Sequence, residues 1–177
     1  MRKELRFAGF GGQGIILAAH IIGHAASIYD RKNAVLTQNY GPEARGGASS
    51  ADVVISDEEI DYPKVSVPDI LVIMSQEAYS TYGGKLSETG TLIIDEDLVK
   101  LPGNRKAISV PSTKYAEGLG KKIVANIVMI GFFASVVDFV GSEAIRKSLL
   151  DNVPKGTEEL NLKAFNMGYE HGKKIEA

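Results

Sequence analysis

The sequence predicts an α/β fold built on a largely parallel sheet, and three observations lead there. Short apolar runs of strand length alternate with longer stretches whose apolar residues recur at helical spacing. Two of the short runs, Ile70–Met74 and Thr91–Ile94, are almost continuously apolar, as strands covered on both faces are. The first strand candidate breaks directly into a glycine turn that opens a helix, the junction at which open α/β sheets receive ligands.

Taken in order, Leu5–Phe10 is a strand, and Gly11-Gly12-Gln13-Gly14 is the turn. Ile15, Ile16, Ala19, Ile22 and Ala26 then mark a helix. After a break at Tyr29–Asn33, Ala34–Thr37 is a second strand that runs into Gln38–Gly47. That segment has three glycines and no periodicity, so an ordered loop is expected. Ser50–Ser56 reads as a strand whose continuation through Ile60–Tyr62 stops at Pro63. Ile70–Met74 follows, then a short helix through Glu77–Tyr82, the buried strand Thr91–Ile94 and a weaker one at Ala107–Val110. Ser112 or Thr113 can cap a helix that ends at Gly118 or Gly120.

Ile123–Val140 is the most apolar stretch, interrupted by Asn126 and Asp138. Its clean run, Ile127–Val137, falls short of the roughly 20 residues a membrane span needs, so a buried core helix is expected. Ser142 begins another helix. Pro154–Gly156 breaks the chain, and Thr157 starts an amphipathic helix through about Lys173, with Leu160, Ala164, Met167 and His171 near one stripe. No linker, repeat or low-complexity segment divides the 177 residues, which predicts a single domain over 1–177.

Composition narrows the function. Twenty basic residues against 22 acidic give a net charge of −2, so no global field draws the chain to nucleic acid or an anionic membrane. The first ten residues are too short and too charged for a signal peptide, and a glycine turn stands where its apolar region would be, so a cytoplasmic location is expected. The chain has no cysteine. A disulfide, a thiol nucleophile, Cys-ligated zinc and an iron–sulfur cluster held by this chain alone are thereby excluded. If the protein serves redox chemistry, the metal is in a partner.

Two segments carry candidate chemistry. Gly9-Phe10-Gly11-Gly12-Gln13-Gly14 fits G-x-G-x-x-G between strand and helix, where glycines permit a tight turn and the helix N-terminus offers N–H groups to an anion. A dinucleotide site also wants an acid at the end of the second strand; here that end is Thr37-Gln38, and Asp30 precedes the strand. The turn therefore reads either as a cofactor site or as a structural or interface turn. In Tyr40–Gly47, Glu43 and Arg45 sit between glycines after the second strand. An Arg fork there suits a carboxylate, a phosphate or a partner's acidic side chain, or else an internal pair with Glu43 or an Asp that fixes the turn.

Other constellations fail. Neither Gly84-Lys85 nor Gly120-Lys121 completes a Walker loop, and no nucleophile elbow is present. His20 and His24 have metal-compatible spacing, but no Glu lies between them and only His171 remains as a third, so core or surface histidines are the better reading. Glu58-Glu59 and Asp95-Glu96-Asp97 read as solvated faces, and Asp138 as a surface contact. No catalytic residue and no metal ligand is assigned to this chain alone.

The GGQG turn at Gly11–Gly14 followed by Tyr-Gly-Pro-Glu-Ala-Arg-Gly-Gly at Tyr40–Gly47 resembles the gamma subunit of 2-oxoacid:ferredoxin oxidoreductases. Ala51–Ser56, Glu59–Pro63 and Ala125–Gly131 fit the same pattern, so the resemblance covers nearly the whole chain. The YGPEARGG form is more similar to the 2-oxoglutarate branch than to the pyruvate branch of this pyruvate/ketoisovalerate oxidoreductase gamma family. The resemblance implies a Rossmann-like domain with helices on both faces of its sheet, inside a multisubunit enzyme. Such enzymes decarboxylate a 2-oxoacid on thiamine pyrophosphate, pass electrons through iron–sulfur clusters to ferredoxin, and form an acyl-CoA.

It further implies that thiamine pyrophosphate, its magnesium and the clusters belong to other subunits. The partners would be alpha and beta subunits, with a ferredoxin-like delta subunit as a further candidate, and ferredoxin itself. Gly11, Gly12, Gln13, Gly14, Tyr40, Glu43, Arg45, Gly46 and Gly47 would then border the site where thiamine and CoA meet. Within that set Arg45 is expected to contact an anion or partner, and Gln13 to orient a polar group at the helix start. Two alternatives stay open: a stand-alone nucleotide-binding module that uses Gly9–Gly14, and a purely structural assembly domain. Replacing Arg45 with Ala is expected to impair oxoacid-dependent ferredoxin reduction by the reconstituted complex while the subunit stays folded. Unchanged turnover would show that the loop cation is dispensable.

Overall fold

The computed structural model describes residues 1–39 and 48–176. Six strands form one sheet: β1 Arg2–Phe10, β2 Asn33–Gln38, β3 Ala48–Ser56, β4 Ile70–Ile73, β5 Thr91–Asp95 and β6 Ile108–Val110, in the order β2-β3-β1-β4-β5-β6. The helices are α1 Ile15–His24, α2 Gln76–Tyr82, α3 Ser112–Gly118, α4 Ala125–Val136, α5 Ser142–Asn152 and α6 Glu158–Glu176. A π-helical turn at Ala25–Tyr29 extends α1, and a 3₁₀ turn at Lys122–Val124 leads into α4. Among the described residues no helix is long and apolar enough to cross a membrane.

The predicted α/β class and mostly parallel sheet are observed. β1, β4, β5 and β6 pair in parallel, while β3 runs antiparallel between β1 and β2. β2 therefore points the same way as β1, and the segment after Gln38 leaves from the edge that carries the glycine turn. Ala48, where the chain re-enters the sheet, lies opposite Phe10. Gln38, Ala48 and Phe10 thus lie at one edge of the sheet.

One expected strand is missing. Residues 60–62 form no strand, because Ser56 is already paired with Arg2 on β1 and Asn33 on β2, the first residues of both neighbours. The Asp57 N–H makes one more bond, to the Met1 carbonyl, and beyond it no strand is left to pair with. The Arg2 guanidinium instead takes the Tyr62 carbonyl at 2.7 Å.

Alternation along β1 divides its side chains between two cores. Leu5 and Phe7 face the larger core with α1, α4, α5 and α6, whereas Ala8 faces a smaller one with Ala78 and Tyr82 of α2. Arg6, on the smaller side, is buried against Asp52 of β3 through bonds of 2.7 and 2.9 Å, and its guanidinium lies over the Tyr82 ring. It also donates to the Val65 carbonyl at 2.9 Å, which fastens the segment between β3 and β4 to the sheet.

The apolar helix is shorter than its apolar run. α4 ends at Val136, where Val137 turns extended, and Phe139 and Val140 fold back into the large core. Only exposed Asp138 faces solvent there, as expected. α6 crosses α4 at contact distance: a Cβ on Gly168 would overlap the Val128 carbonyl, and one on Gly131 the Phe165 carbonyl. Gly168→Ala is accordingly expected to lower unfolding free energy by about 1–3 kcal/mol in urea denaturation, the usual cost of overpacking. Gly118→Ala, where an added Cβ meets nothing, is expected to leave stability unchanged or slightly raised.

Candidate functional site

Helix α1 packs on the larger-core face of the sheet and α2 on the other, so the connections leaving β1 and β4 diverge at their carboxyl ends. That divergence is the topological switch point at which α/β sheets open a crevice. The glycine turn occupies it. Gly12 and Gly14 have φ of 90° and 72°, and Gly14 is a left-handed N-cap for α1. Gly11 and Gly12 are exposed, with nothing near an added Cβ, so their backbone is open to a ligand or partner. The first helical bond is Ala18 N–H to Gly14 O at 3.0 Å, which leaves the preceding α1 amides without an intrahelical acceptor. No acidic side chain occupies that first turn.

Gln13 does not point into the crevice as a free group. Its Oε1 accepts the Phe10 N–H at 2.5 Å and its Nε2 donates to the Met74 carbonyl at 3.0 Å. One carboxamide thus ties the ends of β1 and β4 together across the switch point. Only a side chain with an acceptor and a donor at opposite corners can do this, which is why a polar residue stands among the glycines. Gly9 is glycine for the same packing reason, since a Cβ there would meet Gln13 Oε1 and Ile15.

The turn is flanked by two clefts. One of about 390 Å³ is lined by Gly11, Gly12, Gln13, Thr113, Lys122 and Ile123. The other, about 400 Å³, is mostly apolar, with Leu17, Val124, Ile127, Val153 and Leu160 around Asn126 and Lys121. In the sequence Asn126 is an interruption of the apolar run and part of a motif. In the structure it is buried beneath the turn, and its Nδ2 donates to the Gly14 carbonyl at 3.2 Å. A Cβ on Gly14 would overlap that carboxamide, so the left-handed cap and the start of α4 are mutually fitted.

Thr113 is held from behind by Asp95, at the end of β5. The buried carboxylate accepts the Thr113 hydroxyl at 2.6 Å, the Thr113 N–H at 3.2 Å and the Asp97 N–H at 3.0 Å. Asp95 is therefore not part of the solvated acidic face expected for Asp95-Glu96-Asp97; it is the anchor of α3. Runs of like charge read as surface, and only the end of a buried strand reveals the exception.

The remaining sequence candidates fall as follows. Tyr40, Glu43, Arg45, Gly46 and Gly47 lie outside the described residues. His24 Nδ1 lies 2.9 Å from Ser148 Oγ and His20 Nε2 lies 3.0 Å from Asn152 Oδ1, so both link α1 to α5. His171 meets the Tyr115 hydroxyl at 2.9 Å. Asp30, which precedes β2, accepts the Gly141 N–H at 2.6 Å and fixes the start of α5. The cleft walls, among the described residues, offer backbone amides, two lysines, hydroxyls and carboxamides, with no carboxylate or imidazole. That inventory suits the binding and orienting of an anionic group.

Comparison with known proteins points to one family. Residues 4–171 match the pyruvate ferredoxin/flavodoxin oxidoreductase family. The chain is 54% identical to 2-oxoglutarate synthase subunit KorC of Methanocaldococcus jannaschii, over 99% of this chain and 96% of the relative. It is 32% identical to pyruvate synthase subunit PorC of the same organism, over 94% of each. Its fold is similar to the crystal structure of a keto/oxoacid ferredoxin oxidoreductase gamma subunit from Geobacter sulfurreducens, with a TM-score of 0.86 and 45% identity, over 97% of this chain and 99% of that one.

Burial pushes the Asp95 carboxyl above its ordinary value of 3.8, against the opposing hydrogen bonds from Thr113 and the Asp97 amide. The folded chain therefore keeps this proton to higher pH than the unfolded chain does. The stability that follows is full below pH 3.8 and is lost as pH rises through the raised value. Asp95→Asn is expected to remove this loss, so denaturant midpoints of variant and parent should diverge in the variant's favour as pH rises above 3.8. Parallel profiles would refute it.

Proposed function

The chain belongs to the pyruvate ferredoxin/flavodoxin oxidoreductase family, and on that premise we propose that it is the gamma subunit of a multisubunit 2-oxoglutarate:ferredoxin oxidoreductase. The observation that carries the substrate branch is the contrast within one organism: 54% identity to its 2-oxoglutarate synthase subunit against 32% to its pyruvate synthase subunit. Evolutionary distance between species cannot produce that difference, since both relatives share a genome.

The division of labour follows from the donor set. A chain without cysteine cannot ligate an iron–sulfur cluster, so the clusters belong to partner subunits. Thiamine pyrophosphate and magnesium likewise belong to the alpha and beta partners, with a ferredoxin-like delta subunit and ferredoxin completing the electron path in the cytoplasm. CoA fits this chain better. The open α1 amides and the bare Gly11–Gly12 backbone suit an anionic group at the crevice. CoA would supply the thiol that accepts the acyl group. This chain would orient its anionic end.

The test is reconstitution with the partner subunits. CoA-dependent ferredoxin reduction is expected to show at least a tenfold higher kcat/KM for 2-oxoglutarate than for pyruvate. Preference for pyruvate or a branched-chain oxoacid would overturn the branch, and a complex that is fully active without this chain would overturn the assignment.

A further inference from the structure

Ile123 is the most exposed large apolar side chain among the described residues, at 73%. It stands on the 3₁₀ turn before α4 and forms the ridge between the two clefts beside the glycine turn. Leu17, Val153 and Leu160 line the larger cleft on one side of that ridge. Lys121 and Lys122 immediately precede Ile123, and neither makes an ion pair among the described residues. At the cleft floor Asn126 is 3% exposed; its Nδ2 is used by Gly14, while its Oδ1 accepts no hydrogen bond among the described residues. Asn126 lines that cleft, and its oxygen is open to accept a further hydrogen bond.

These features have the anatomy of a protein interface: an apolar centre, one buried polar anchor and a charged rim. They do not describe a small-molecule pocket alone, because Ile123 projects outward. A ligand seated in either cleft would leave that ridge in water, whereas a protein surface would cover it. The unpaired lysines specify the sign of what comes opposite.

We propose that the Ile123 face docks a segment of a partner subunit. That segment inserts an apolar side chain into the Leu17–Leu160 cleft, pairs acidic side chains with Lys121 and Lys122, and gives a backbone N–H to Asn126 Oδ1. The proposal rests on the subunit reading above and adds the surface and its complementary chemistry. Burial of the ridge would also fix the glycine turn at the subunit border, since Ile123 and Gly12 line both clefts.

The experiment co-expresses the tagged chain with its partner subunits and measures partner retained, comparing wild type, Ile123→Asp and the double variant Lys121→Glu/Lys122→Glu. All three positions are exposed, so each variant is expected to keep the wild-type circular dichroism spectrum and melting temperature. Ile123→Asp is expected to lower partner retention at least tenfold. The lysine pair is expected to weaken it at low salt, with the deficit shrinking at about 0.5 M salt as the charges are screened. Wild-type retention by both variants would overturn the proposal. So would normal assembly by Ile123→Asp with a raised KM for CoA, which would assign the face to the ligand. Should Ile123→Asp fail to fold, the lysine pair carries the test alone. If the wild-type chain itself retains no thiamine-containing partner, the subunit reading fails first.

Discussion

Enclosure of α4 is the constraint on which the rest of the structure depends. Of its twelve residues all but Val136 are buried, from Ala125 to Ser135, so the helix has no face to offer water. Such a helix needs cover on every side. The sheet face carrying Leu5 and Phe7 supplies part of it, α1 and α5 supply more, and α6 closes the outer side. That last contact brings backbones together at Gly131 and Gly168, where no side chain fits. Burial of Phe132 and Phe133 contributes roughly 1.5–3 kcal/mol each, which makes the close crossing worth its loss of helix propensity at the glycines.

Once α4 is enclosed, its first residues have no freedom, and the functional edge is built on them. Asn126 lies under Gly14, and Ile123 rises beside Gly12. Gln13 spans from Phe10 to Met74, so the ends of β1 and β4 cannot part without breaking the turn. Asp95 pins α3 from the next strand along. The crevice is therefore a rigid frame of backbone and neutral side chains, with cations only at its rim.

Legibility in the sequence followed the range of the interactions involved. The six strands and their connecting helices could be read from alternation and helical spacing, because those patterns record which faces are buried. The strand expected at Ile60–Tyr62 failed because extended propensity says nothing about whether a partner strand is still available. Arg6 and Asp52 passed unnoticed within strand patterns, since their pairing at 2.7 Å links residues 46 apart in the chain. Asp95 looked like its acidic neighbours until the end of β5 placed it in the core. Gln13 is a site candidate through the family resemblance alone, and the partners it joins, 3 and 61 residues away, are visible only in the fold.

By itself, the sequence determined the α/β class, the cysteine-free chemistry and the two glycine-rich segments that carry the family resemblance. These depend on residue type and local spacing, which a chain displays without folding. Only the tertiary structure decided that β3 runs antiparallel between β2 and β1, that Gln38 and the Gly11–Gly14 turn share one edge, and that Ile123 stands uncovered beside that turn. Strand order, and which apolar side chain is left facing water, follow from how the faces find cover in three dimensions. No local pattern encodes that outcome.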